Sequence, residues 1–213
     1  DVYKRQPLNC SQTKIIDLKR VEQLISFNNK KKRGIVFFSA HYGNWELGPI
    51  IIKSLGLDPL CVYRKSNNKF VELLIQNIRE KNATYAPKGD IGAKKSYLWL
   101  RKGKSLALLM DQKLNEGLSI DFLGKPAQTA SFIADIAIRM NLDIVPIKFS
   151  RDINNHNIIT FYKKINMPKN NLSKNKKISF ILKQVNDVMS QWIKDQPENW
   201  LWIHRRWQKD LYV

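Results

Sequence analysis

The segment His41-Tyr42-Gly43-Asn44-Trp45-Glu46 carries the sharpest chemical signal in this chain, an imidazole and a carboxylate separated by four residues. Gly43 permits a tight turn, and Asn44 fits the N-cap of a helix running through Ile52. Glu46 then falls in the first helical turn, from which a carboxylate can reach back to the imidazole Nδ1. That contact would fix the tautomer and stabilise the imidazolium formed when Nε2 accepts a proton. A dyad of this kind suits deprotonation of a hydroxyl attacking an acyl thioester, and it needs no serine or cysteine nucleophile on the protein. The same residues admit a structural reading. A Glu in a first turn complements the helix dipole, and a histidine after a strand can serve packing alone.

The elements that must position these residues follow from hydrophobic periodicity. Ile15–Phe27 places Ile15, Leu18, Val21, Leu24 and Ile25 at helical spacing, and Ile35–Ser39 reads as a buried strand. Further strands are predicted at Pro59–Tyr63, Leu106–Met110, Ile144–Phe149 and Ile158–Ile165. Helices are predicted over Asn68–Lys81, Ile91–Lys102, Ser131–Met140 and Lys177–Lys194. Alternating strands and helices imply a single α/β domain over residues 1–213, with a largely parallel or mixed central sheet flanked by helices. In such sheets the ligand crevice lies outside the carboxyl ends of the strands. His41 follows Ile35–Ser39, Asp111 follows Leu106–Met110 and Arg64 follows the strand through Val62, so the three are expected to converge on one edge. Asp111 there would hold a cation across the cleft or simply form a turn; Arg64 would bind an anion or make a surface salt bridge.

Composition bounds the rest. The 213 residues suffice for one core, and 43% hydrophobic with 26% charged residues indicates a folded globular chain. The net charge of +19 attracts polyanions, whether nucleic acid, anionic lipid headgroups or acidic carrier proteins. Richness in Lys, Asn and Ile together, the composition AT-rich coding produces, discounts part of that excess. Cys10 and Cys61 make neither a disulfide framework nor a metal spacing. His156 sits in an expected turn, Asn154–Asn157, and His204 has no carboxylate at ligand spacing. No metal and no cofactor are expected. The Gly-x-Ser-x-Gly elbow, the phosphate-binding P-loop and dinucleotide glycine patterns are absent. The basic run Lys30–Arg33 and the tail, with three tryptophans in eight residues, would also fit a nucleic-acid-binding domain. Against that stand the missing recognition motifs, so no nucleic-acid partner is expected.

Several blocks, in order, carry a resemblance. Phe38-Ser39-Ala40-His41-Tyr42-Gly43-Asn44-Trp45-Glu46 resembles the His-x4-Glu block of bacterial lipid A biosynthesis (lauroyl/myristoyl) acyltransferases. Val62-Tyr63-Arg64, Ile78-Arg79, Met110-Asp111-Gln112, Asp121–Thr129 and Pro197–Trp207 are similar to further blocks of that family. The resemblance implies a glycerol-phosphate-acyltransferase-like fold. It implies transfer of an acyl chain from acyl carrier protein to a hydroxyl of an acylated lipid A precursor, on the cytoplasmic face of the inner membrane and at an anionic membrane surface. His41 would be the general base and Glu46 its orienting partner, while Arg64, Arg79 and Asp111 match substrate-binding or site-shaping positions. Either arginine would hold a lipid A phosphate or the carrier's phosphopantetheine phosphate, or steady an oxyanion. Family members usually carry an N-terminal transmembrane helix, and the opening Asp1–Gln6 implies that such a segment precedes this sequence. Related His-x4-acid enzymes acylate glycerolipids or phosphatidylinositol mannosides, and the Pro197–Trp207 block favours lipid A over these.

Overall fold

Strand β2 (Ile35–Ser39) is buried at every residue, which requires cover on both faces. Because side chains alternate along a strand, Val36 and Phe38 enter one hydrophobic core while Ile35 and Phe37 enter the other. A computed structural model of the chain, describing residues 13–79 and 82–212, shows how that cover is supplied. Residues 1–12, with Cys10 and the opening segment, lie outside the described residues, as do Glu80, Val213 and Lys81, the expected end of the helix from Asn68.

The elements run β1 (Thr13–Ile16), α1 (Leu18–Lys30), β2, α2 (Leu47–Ser54), β3 (Pro59–Tyr63), α3 (Lys69–Arg79), β4 (Thr84–Pro87), α4 (Asp90–Arg101) and β5 (Ser105–Leu109). A hairpin, β6 (Leu118–Phe122) with β7 (Lys125–Thr129), leads to α5 (Phe132–Met140), β8 (Asp143–Arg151), β9 (Asn157–Phe161) and the long α6 (Lys174–Asp195). Seven strands form one sheet in the order β1-β9-β8-β2-β5-β3-β4. All neighbours are parallel except β8 and β9, which are joined by the expected turn around His156. The fold is thus the expected α/β domain with a mostly parallel, mixed sheet flanked by helices.

One face is covered by α1 and α2, whose Val21, Ile25, Leu47, Ile51 and Ile52 pack on Phe37, Val145, Ile147 and Phe161. The other is covered by α4, α5 and α6, with Ile181, Leu182, Val185 and Trp192 fully buried. Each such side chain contributes about 1.5–3 kcal/mol over its exposed state. Several expectations differ from the structure, among them the strand expected to run to Ile165, which ends at Phe161. Ile15 belongs to strand β1 rather than to the following helix, which starts at Leu18. Helix α2 begins at Leu47, so Glu46 is its N-cap residue, with αR backbone and no side-chain cap bond, and Asn44 lies outside the helix. Strand β4 and the β6–β7 hairpin are elements the periodicity did not reveal. Among the described residues, no helix is long and apolar enough to cross a membrane.

Candidate active site

The sheet order makes β2, β5, β3 and β4 four adjacent parallel strands, so their carboxyl ends leave on one edge. His41 follows β2, Asp111, Gln112 and Lys113 follow β5, Arg64 follows β3 and Lys88 follows β4. Register decides which of them touch. Ser39 pairs with Leu109 across β2 and β5, and the ladder continues with Met110 N–H donating to the Ser39 carbonyl at 2.9 Å. Two residues further on, His41 and Asp111 therefore come face to face.

Asp111 receives three donors. The His41 ring Nδ1 lies 2.8 Å from Oδ1, while the His41 backbone N–H and the Trp200 indole N–H reach Oδ2 at 3.0 and 2.9 Å. The Asp111 side chain is 3% exposed and that of His41 21%, so the acid is sealed and the imidazole opens outward. Burial alone would raise the Asp111 pKa. The hydrogen bond and charge attraction of His41, with the Trp200 bond, outweigh it and hold the carboxyl below its usual range. An ionised acceptor at Nδ1 fixes the tautomer that carries a proton there and leaves Nε2 as the basic atom. The Gln112 amide nitrogen lies 3.4 Å from Nε2, and its oxygen accepts from Lys88 Nζ at 3.3 Å.

The expected contact between Glu46 and His41 Nδ1 is corrected by this geometry, because Asp111 occupies that position. Glu46, set at the mouth of α2, forms a two-pronged ion pair with Arg79 at the end of α3, with Nε to Oε2 at 3.3 Å and Nη2 bonded to Oε1. The expected pairing of Asp111 with Arg79 is likewise replaced: Asp111 is hydrogen-bonded to the His41 imidazole, and Arg79 pairs with Glu46. Arg64 has no salt-bridge partner among the described residues. The segment between His41 and Glu46 is shaped by close approach. Gly43 has φ of 56°, and a Cβ there would overlap the Phe149 carbonyl.

A cavity of about 480 Å³ opens at this edge and runs between α2 and the sheet. Its depth is apolar, lined by Phe37, Ile52, Ala107, Ile147 and Phe149, and its rim carries Arg64, Lys88, Lys113 and Arg205. Burial and the neighbouring Arg64 charge lower the Lys88 pKa. Cys61 lines the cavity as a free thiol, but burial pushes its pKa up to about 12, which removes it as a nucleophile. Ser39 also borders the cavity, 5% exposed, with an Oγ that has no hydrogen-bond partner.

The tail completes the site, a role that tryptophan spacing did not reveal; the one available signal was that a buried indole N–H requires an acceptor. Leu201 N–H donates to the His41 carbonyl at 2.7 Å and Gly43 N–H to the Asn199 carbonyl at 2.8 Å. Arg206, 1% exposed, anchors this tail to the hairpin by donating to the Gln128 carbonyl at 2.8 Å and to Thr129 Oγ1 at 2.7 Å, with its guanidinium over the Phe122 ring. The blocks Asp121–Thr129 and Pro197–Trp207 are therefore one assembly, and it ends on Asp111.

A histidine bonded through Nδ1 to a buried aspartate, at the carboxyl edge of a mostly parallel sheet and beside an apolar cavity with a cationic rim, is the arrangement of an α/β domain suited to acid–base chemistry. The family model for bacterial lipid A biosynthesis acyltransferases matches residues 9–209, and the chain belongs to that family. It is an acyltransferase of the lipid A type. No curated protein matches the chain.

Proposed function

We propose that the enzyme transfers a fatty acyl chain from acyl carrier protein to a hydroxyl of an acylated lipid A precursor, with His41 as general base and Asp111 as the residue that orients it. The observation that carries this reading is the Asp111–His41 contact beside the cavity, which leaves Nε2 free to take a proton. His41 Nε2 removes the acceptor hydroxyl proton, and the oxygen attacks the thioester carbonyl. The tetrahedral intermediate collapses with cleavage of the C–S bond, and the imidazolium returns its proton to the departing thiolate, giving an ester and a free thiol. Asp111 stabilises the imidazolium in both steps. The Gln112 amide beside Nε2 is available to the developing oxyanion.

The cavity accommodates the acyl chain, while Arg64, Lys88, Lys113 and Arg205 meet the phosphates of the carrier's prosthetic arm and of the acceptor. Arg79, already neutralised by Glu46, shapes the site rather than holding a phosphate, and Glu46 acts through that pair. Both substrates meet at the cytoplasmic face of the inner membrane, which is the proposed location.

The test is transfer of radiolabelled acyl groups from acyl carrier protein to a lipid A precursor, by wild type and His41→Ala in parallel, with lysophospholipid as a second acceptor. Labelled lipid A from wild type only is the expected result. Label on lysophospholipid alone would move the enzyme to glycerolipid acylation.

A further inference from the structure

Helix α3 is built inside out. None of its residues is buried, and its inward side is polar. Glu72 accepts from the Tyr63 hydroxyl and from the Ser66 N–H at 2.8 Å, Gln76 donates to Tyr63 Oη at 3.1 Å, and Arg79 pairs with Glu46. These three residues follow one another at spacings of four and three. The opposite side presents Phe70, Leu73, Leu74 and Ile78, at 83%, 57%, 61% and 42% exposure. A helix on the surface of a water-soluble domain turns its apolar side inward. The α3 arrangement is not a frayed end, because Asn68 Oδ1 caps it by accepting from the N–H groups of Phe70 and Val71 at 2.9 and 3.3 Å.

A second apolar projection lies in the tail, where Leu201, Trp202 and Ile203 are 44%, 52% and 70% exposed. Both projections are continuous with the cavity. Arg64 precedes α3 and Arg79 ends it, His204 and Arg205 follow Ile203, and all four line the cavity. The apolar residues thus stand among the cations Arg64, Lys65, Lys69 and Arg205.

We infer that α3, with the segment 201–203, docks the cavity edge onto an anionic bilayer surface. The apolar side of the helix enters the boundary between headgroups and acyl chains, and the surrounding cations meet the lipid phosphates. Charge selects this occupant over a second copy of the chain, which would bring one net charge of +19 against another. The inference rests on the reading that the acceptor is a membrane lipid and deepens it: the enzyme takes that lipid from the surface through the edge on which His41 stands.

The test is co-sedimentation of the 213-residue chain with vesicles of phosphatidylethanolamine and phosphatidylglycerol, and with neutral phosphatidylcholine vesicles. It compares wild type with the double variant Phe70→Gln/Leu74→Gln. Wild type is expected to prefer the anionic vesicles, with binding that weakens as salt rises, and the double variant to bind them at least ~10-fold less with an unchanged Tm. Equal binding by wild type and variant, or no preference for anionic over neutral vesicles, would overturn the proposal. So would a variant whose only change is loss of self-association in analytical ultracentrifugation, which would assign the surface to a second copy. Acyl transfer to detergent-dispersed acceptor separates the two readings. If wild type fails there, the proposed reaction falls while the vesicle result stands; if the variant transfers normally but its vesicle binding is unchanged, docking through α3 falls alone.

Discussion

Asp111→Asn separates the two carboxylates that compete for the role of orienting His41. The carboxylate accepts three donors, His41 Nδ1 at 2.8 Å, His41 N–H at 3.0 Å and Trp200 Nε1 at 2.9 Å. An amide of the same shape has one acceptor oxygen. If that oxygen keeps the two donors now on Oδ2, its NH2 group faces Nδ1, which must then present a lone pair. The proton moves to Nε2, and the base is lost at the atom that faces the cavity. The opposite amide orientation sets two buried N–H donors against an NH2 group, which is the costlier arrangement. By analogy with the tautomer trap measured in serine proteases, kcat should fall by about 10³–10⁴, or ~4–5.4 kcal/mol of transition-state stabilisation. Glu46→Gln removes only one side of a half-exposed ion pair and should cost about tenfold or less. The assay is acyl transfer under saturating substrate, with thermal unfolding of each variant to exclude misfolding. Asp111→Asn within tenfold of wild type, or Glu46→Gln with an equal loss and a retained Tm, would refute the assignment and return the orienting role to Glu46.

Other outcomes follow from the same geometry. Ala107→Leu fills part of the apolar cavity and should shift preference toward shorter acyl donors, by about tenfold or more for the longest chain accepted, measured as the ratio of kcat/KM between donors. Arg206→Ala removes two charge-assisted hydrogen bonds, to the Gln128 carbonyl and Thr129 Oγ1, and opens a void under the tail. It should cost about 2–4 kcal/mol, read as a lower Tm in calorimetry, and an unchanged Tm would sink the anchoring role. Asp143 is buried and bonded to Lys164 at 2.8 Å and Asn28 at 3.0 Å. Burial opposes its ionisation, but these partners outweigh that cost and lower its pKa. Its folded value lies below the unfolded one of about 3.9, so its stabilisation is complete above that pH and is lost as pH falls toward the folded value. Denaturant unfolding should show Asp143→Asn less stable than wild type at neutral pH, with the gap narrowing below about pH 4.

The sequence made the central strands legible because each is a short apolar run with both faces covered; β2 and β3 have the bounds that pattern predicts. Edge elements were harder to read. Thr84–Pro87 holds a proline and is half exposed, and the β6–β7 hairpin carries Pro126, so neither shows a clean alternation. Ile15 fits a helical spacing by coincidence with Leu18, while its backbone pairs with Ile159 of β9. The convergence of His41, Arg64 and Asp111 on one edge was readable from strand ends. The partner of His41 was not, because local spacing offers only Glu46, whereas Asp111 arrives through a strand pairing between segments about 70 residues apart. Of the basic run, Arg33 lies 3.6 Å from Asp143, and of the tail tryptophans Trp207 lies in the core, neither of which local spacing announced.

The hydrogen bond from Trp200 to Asp111 has a temporal meaning as well as a spatial one. A ribosome delivers His41 early, Asp111 midway and Trp200 near the close of this stretch. Until α6 has formed and the Arg206 anchor has seated the tail on the β6–β7 hairpin, the aspartate lacks one of its three donors and the His41 carbonyl lacks Leu201. Nascent intermediates halted before that point would carry the base and its acid without the tail donors that hold them. The complete hydrogen-bond set around His41 and Asp111 therefore belongs to the finished domain.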